Sequence, residues 1–210
     1  MLIRPALPDE APLLAEIEQS AWPAGMASTA DEIRSRVALF PAGQLAAEIG
    51  GKVVAFATAQ RVRQAFFTAN QSSFPAVTDH GRIIGSHADD GDVYHLIGVC
   101  VLHSHQGFGL ARVLIDRQIE IARSLPGIRR ILGVTRPARY HKRPSLSIEQ
   151  YVVARSASGR LIDPVLAFHL DYGARLVTTL PGFRPEDRDS LGYGVLIEYP
   201  VHVESAHKRT

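Results

Sequence analysis

The stretch Val99-Cys100-Val101-Leu102-His103-Ser104-His105-Gln106-Gly107-Phe108-Gly109-Leu110-Ala111-Arg112 decides how this chain is read. An apolar strand ends at Leu102, a short polar turn follows, and Gln106-x-x-Gly109-x-Ala111 opens an amphipathic helix. Small residues at Gly107, Gly109 and Ala111 let a bulky anion approach the backbone. The first-turn N–H groups of a helix have no intrahelical partner and point at such an anion. The helix dipole adds only about 0.3–1 kcal/mol, so the aligned donors define the site more than the field does. The pattern reads as a pyrophosphate cradle. A dinucleotide fingerprint would need Gly-x-Gly-x-x-Gly and a later acidic residue, and a P-loop would need Gly-Lys-Ser/Thr; neither is present.

The 210 residues, 46% hydrophobic, are enough for one domain with a full core, over about residues 1–200, with a tail from 201 to 210. A formal net charge of +2, with no basic run interleaved with aromatics, argues against nucleic acid. The single cysteine, Cys100, excludes a disulfide framework and a zinc cluster, and its apolar strand makes it a core thiol. The paired His103 and His105 lack a third plausible ligand, so no metal is expected. No stretch reaches membrane-span length, and a cytoplasmic setting is the expectation.

Working outward from the cradle, Leu2–Ala6 reads as a first strand, and Pro8-Asp9 starts a helix running to about Ser20. Thr29-x-x-Glu32 is a capping box for a helix over Ala30–Leu39. Gln44–Ile49 and Lys52–Gln60 form a hairpin across Gly50-Gly51. Arg63 to Asp92 is polar and weakly periodic, and is expected to be a lid or insertion beside the functional site. Val93–Leu102 is the fourth strand, Gly109–Ser124 the cradle helix and Arg130–Thr135 the fifth strand. Ser147-x-x-Gln150 caps a helix to about Ala157, and Asp163-Pro164 caps another that closes at Gly173. Leu176–Thr179 and Gly194–Tyr199 complete the strands, and the end from His202 is expected to fray.

Gln106-x-x-Gly109-x-Ala111 after a Val-x-Val strand resembles motif A of the GNAT acyltransferase superfamily, which binds the pyrophosphate of coenzyme A. The resemblance implies an α/β GNAT fold: a mixed, mostly antiparallel sheet splayed between strands four and five, with helices on both faces. It implies acyl-CoA as ligand, contacted by Val99, Val101, Gln106, Gly107, Phe108, Gly109, Leu110, Ala111 and Arg112. Ordinary N-acetyltransferases of that superfamily often carry a tyrosine four residues before the glycine that ends the helix after strand five. Counted back from Gly173, that slot holds His169, with Tyr172 on another side of the helix. Histidine can donate or accept near pH 7 without a perturbed pKa.

Together with His169, the residues Thr135, Arg184 and Trp22 resemble the GNAT-like loading domains of modular polyketide synthases, of the curacin type. That likeness extends over about residues 1 to 200. It implies that His169 and Thr135 serve decarboxylation of a malonyl or methylmalonyl thioester, and that Arg184 and Trp22 line the acyl tunnel. It also implies an acyl carrier protein as possible acceptor of the acyl group. A second resemblance, to GNAT domains joined to carbon–nitrogen hydrolases, rests on Phe40-Pro41-x-Gly43-Gln44-Leu45, Tyr140-His141 and Asp163-Pro164-Val165-Leu166. It lacks the histidine, threonine and arginine.

The chemistry fits those residue types. Loss of CO₂ leaves charge on the thioester oxygen, for which backbone donors near Val99 to Val101 are available; one such donor is worth about 10²–10³ in rate. Thr135 and His169 can orient the carboxylate or deliver a proton, about 10²–10⁴. Trp22, Phe168 and Phe183 supply apolar walls. Arg184 either attracts the carboxylate or holds its turn through Glu186 or Asp187. Arg136, Arg139, His141, Lys142 and Arg143 read as a solvated basic loop. Three functions stay open: a thioester decarboxylase, an amine N-acetyltransferase using Glu48 or a relayed water as base, and a non-catalytic acyl-CoA-binding module.

Overall fold

The computed structural model describes residues 1–201, so the tail predicted from His202 lies outside the described residues. One seven-stranded sheet organises the chain: β1 (Leu2–Pro5), β2 (Gln44–Ile49), β3 (Lys52–Val62), β4 (Val93–Val101), β5 (Arg130–Thr135), β6 (Arg175–Leu180) and β7 (Gly194–Tyr199). Its spatial order is β1-β2-β3-β4-β5-β7-β6, and every neighbouring pair is antiparallel except β4 with β5. The α-helices are α1 (Ala11–Ala21), α2 (Ala30–Leu39), α3 (Gln64–Asn70), α4 (Phe74–Thr78), α5 (Leu110–Ser124), α6 (Ile148–Val153) and α7 (Pro164–Asp171).

Side chains alternate between the faces of a strand, so consecutive residues enter different cores. Ala46, Phe56 and Cys100 pack with Leu14, Ile17 and Ile33 of α1 and α2. Their neighbours Leu45, Ala47, Ala55, Ala57 and Val101 pack with Leu110 and Leu114 of α5. Helices therefore cover both faces. Along α5, the buried positions Leu110, Leu114, Ile115, Gln118, Ile119 and Ala122 recur at helical spacing and form one stripe.

The split that positions the site follows from strand register. β4 pairs with β5 only from Val93↔Arg130 to Leu96↔Gly133. On its other side, β4 stays paired with β3 through Val101↔Ala55, with a register shift beside Ile97. β5 stays paired with β7 through Thr135↔Val195. Each strand thus keeps one partner while the two diverge from each other.

The predicted elements correspond closely, with three instructive departures. The first helix is broken: Pro8–Glu10 forms a 3₁₀ turn before α1, with Pro12 in the first turn of α1, where a missing N–H is cheap. α6 stops at Val153, short of the expected Ala157, because Arg155 pairs with Leu161 instead. The polar stretch from Arg63 to Asp92, expected as a lid or insertion, carries helices that its weak periodicity does not mark. It holds α3 and α4; its Phe67 and Val77 pack with Val62, Val93 and Leu132 of the sheet, and its Thr78 and Ser86 are buried. Helices of seven and five residues are too short to leave a periodic signature.

Candidate functional site

The turn before α5 has the predicted shape. Gly107 and Gly109 sit at φ of +85° and +79°, a left-handed conformation that other residues adopt only with strain. A Cβ at either would meet nothing within 4 Å, so the surrounding space is free. Gln106 donates through Nε2 to the carbonyl of Val101 at 3.1 Å and ties the turn to the end of β4. A cleft of about 460 Å³ opens here against Val99, Val101, Gln106, Gly107, Gly109 and Ala111, with Leu110 and Arg112 also on its lining. Phe108 departs from expectation: its side chain is 79% exposed and does not line the cleft. Across the cleft, the Arg112 guanidinium lies 4.1 Å from the ring centroid of Tyr172, so the helix residue expected to face elsewhere forms the opposite wall.

Where β4 and β5 diverge, a second cavity of about 320 Å³ continues from this cleft, sharing Ala21, Val99, Ala111 and Phe168 with it. Trp22, Thr135, Phe168 and His169 all line it, together with Ile97 to Val99. Residues far apart in sequence converge here: Trp22 follows α1, Thr135 ends β5, and Phe168 and His169 lie in the last turn of α7. Trp22 caps α1, and its indole N–H donates to Cys100 Sγ at 2.8 Å, fixing the ring beside Gly98. Cys100 is a core thiol, raised in pKa by burial and by the nearby Glu18 charge.

His169 is held from both ends of its helix. Asp163 caps α7, its Oδ1 accepting from the N–H groups of Val165 and Leu166 at 2.9 and 3.0 Å. Its Oδ2 accepts from Tyr151 Oη at 2.8 Å and from the Arg139 N–H at 3.0 Å. Further along α7, His169 Nδ1 lies 2.8 Å from Tyr199 Oη. Burial raises the pKa of Tyr199, so the phenol keeps its proton. Left without an acceptor, that buried proton would be costly, which assigns Tyr199 as donor to Nδ1 and leaves the hydrogen on Nε2. Burial also pulls His169 down to about 4. At pH 7 the ring is therefore neutral and offers an N–H.

Arg184 and Phe183 face a third, smaller cavity of about 20 Å³ behind Thr135, and Phe183 does not line the larger one. The Arg184 guanidinium stacks 3.4 Å from the Phe74 centroid and donates to the Met26 carbonyl at 3.1 Å. Its carboxylate neighbour is Glu186 at 3.7 Å; Asp187 instead takes Arg136 in a bidentate pair at 2.5 and 2.8 Å. Arg136 is thus no part of a solvated loop: it borders both cavities with its charge already matched. Glu48, weighed as a base, pairs with Arg4 at 3.2 Å and lines none of these cavities. Sequence reasoning missed His95 and Tyr199, whose apolar strand settings hid them.

Among the described residues, no group of His, Cys, Asp and Glu could hold a metal ion, and no helix is long and apolar enough to cross a membrane. A mixed sheet splayed between β4 and β5, with a glycine turn and a helix start at the mouth of the splay, is the GNAT architecture. The chain belongs to the acetyltransferase (GNAT) family, whose model matches residues 11–144. It is similar to the loading GNATL domain of CurA from Lyngbya majuscula: TM-score 0.86, 26% identity, 95% of this chain and 97% of that one. It is also similar to the GphF GNAT-like decarboxylase solved with isobutyryl-CoA: TM-score 0.81, 30% identity, 96% and 100% of the two chains. The uncharacterized N-acetyltransferase YkwB of Bacillus subtilis is 30% identical over 80% of this chain and 73% of its own length.

Proposed function

We propose that the chain decarboxylates malonyl- or methylmalonyl-CoA. The observation that carries this reading is His169: a neutral imidazole backed by Tyr199, sharing one largely apolar cavity with the Thr135 hydroxyl. Similarity to a GNAT-like decarboxylase over the whole chain supports it. The coenzyme's pyrophosphate would take the first-turn N–H groups of α5, with Gly107 and Gly109 leaving room, and its pantetheine arm would run through the split between β4 and β5. Thr135 and His169 would then meet the acyl end.

In the reaction, the bond between the α-carbon and the carboxylate breaks and its electron pair passes into the thioester carbonyl as an enolate, releasing CO₂. Apolar walls at Trp22 and Phe168 favour this step, because the compact carboxylate charge is dispersed over the enolate. His169 Nε2–H gives its proton to the α-carbon, producing acetyl- or propionyl-CoA, and the ring recovers a proton from solvent. Acyl transfer to the thiol of an acyl carrier protein, in polyketide chain initiation, is the finer form of the proposal; likeness to the CurA loading domain supports it.

The N-acetyltransferase reading has YkwB in its favour, but the tyrosine slot holds His169 and Glu48 is engaged elsewhere. Incubation with malonyl-, methylmalonyl- and acetyl-CoA, followed by mass spectrometry, separates the readings. CO₂ loss without an acceptor is expected. Thiol release that requires an amine would replace the proposal with acetyl transfer, and unchanged thioesters would reduce the chain to a binding module.

A further inference from the structure

The cavity behind Thr135 holds a second buried histidine, one that no sequence motif marks. His95 lies on β4, directly opposite Gln60 of β3, and is 2% exposed. Gln60 Nε2 lies 3.0 Å from His95 Nδ1 and 2.8 Å from the Val77 carbonyl, while Gln60 Oε1 accepts from Ser86 Oγ at 2.6 Å. The Val77 carbonyl, which can only accept, fixes which end of the amide carries hydrogens. One amide hydrogen serves Val77 and the other serves His95, so Nδ1 is an acceptor and the imidazole proton sits on Nε2. Among the described residues Nε2 has no hydrogen-bond partner, and His95 is one of the residues that line the small cavity.

Three residues that carry hydrogen-bond donors line it together: His95, Thr135 and Arg184. The charges facing the cavity are Arg184, Arg136 and Asp187. Asp187 is matched by Arg136, whereas the carboxylate beside Arg184 is Glu186, 3.7 Å away and 43% exposed. The cavity's volume of about 20 Å³ admits one water-sized group. An acyl chain does not fit, but one oxygen of a carboxylate at the end of a short chain does. Trp22, Ile97, Val134, Thr135 and Arg136 border both this cavity and the larger one, so the two adjoin at Thr135.

We propose that His95 is a substrate-binding residue: its Nε2–H receives the free carboxylate of a dicarboxylic acyl thioester in the cavity behind Thr135, and the insertion over residues 63–92 holds it there through Ser86, Val77 and Gln60. This rests on the decarboxylase reading and extends it to substrate selection. A carboxylate seated here is fixed at the end remote from the phosphate cleft, while the thioester occupies the larger cavity. The carbon–carbon bond that breaks then spans the two. Phe67, edge-on to His95 with centroids 5.1 Å apart, keeps the ring upright.

The test is a binding comparison in a His169→Ala background, which keeps the thioester intact during titration. Affinities for malonyl-CoA, acetyl-CoA and free CoA are measured with and without His95→Phe. Losing one hydrogen bond to a charged group should weaken malonyl-CoA about tenfold or more, with acetyl-CoA and CoA unchanged. His95→Asn, short enough to keep the Gln60 contact but without a group at the cavity, should repeat the loss if the phenyl ring disturbs folding. His95→Gln, whose amide reaches the Nε2 position, should restore most of the preference. Equal shifts for malonyl-CoA and acetyl-CoA, or none, would overturn the proposal. Separately, CO₂ release by the unsubstituted chain reports on the decarboxylase reading, so the two can fail independently.

Discussion

The phosphate cleft and the acyl cavity lie side by side, yet they are built in different ways. The cleft is lined mainly by one continuous stretch within Val99 to Arg112, whose glycine turn and helix start supply backbone N–H groups. The acyl cavity is made of side chains: Trp22 from the end of α1, Thr135 from the end of β5, and Phe168 with His169 from α7. Backbone donors at a helix start are charged by geometry alone and keep their character at any pH. Side-chain groups in the cavity depend on burial and on a shell of partners that other elements supply. Binding should therefore tolerate changes in the cavity, and chemistry should tolerate changes in the cleft only as far as affinity allows.

That contrast is open to direct attack. The largest effect is expected from His169→Tyr, which replaces the imidazole N–H with the residue usual in this slot. CO₂ release, followed by mass spectrometry, should fall by more than about 10²-fold with the fold preserved. Thr135→Val keeps the shape and removes the hydroxyl; its loss should be smaller, about tenfold to 10²-fold. When combined with His169→Ala, the total should fall short of the product of the single effects, as residues acting together do. Additive losses would separate the two residues.

Gly109→Trp probes the other region. A non-glycine residue at φ +79° costs about 1–2 kcal/mol, and the indole would occupy the space left for phosphate. CoA affinity by calorimetry should drop about tenfold or more, while the cavity residues stay unaltered. Unchanged affinity would mean that the coenzyme lies elsewhere.

The smallest effect is on stability. Burial lowers His169 to about 4 and His95 to about 3, below the ordinary value of about 6.5. Below that ordinary value, the unfolded chain takes up protons that the folded chain refuses. Stability should therefore fall as pH drops from 6.5 toward 4, and be fully recovered above 6.5. Urea midpoints between pH 7 and 5, above the carboxylate range, read this out. His95→Phe should flatten the slope, and an unchanged slope would mean that the ring is already hydrated.

The same contrast explains how much was legible beforehand. A local pattern suffices for the cradle, so Gly107, Gly109 and Ala111 were readable in place, as were the caps at Thr29, Ser147 and Asp163. Phe108, expected within the same motif, is exposed, so its side chain takes no part in lining the cleft. The cavity was readable only where a family likeness aligned His169, Thr135 and Trp22. Tyr199 and His95 were out of reach because their roles come from register, one through contact with α7 and the other by lying opposite Gln60. Nor does polar composition reveal that Arg63 to Asp92 folds against the sheet, since few of its residues carry the packing.

The central claim is that His169 does chemistry and leaves binding to the cleft. It is tested most directly by His169→Ala, with CO₂ release from malonyl-CoA and affinity for free CoA measured on the same preparation. The account predicts a loss of about 10²-fold or more in CO₂ release with CoA affinity unchanged. Wild-type CO₂ release by the variant would contradict it, and would make the histidine a packing residue.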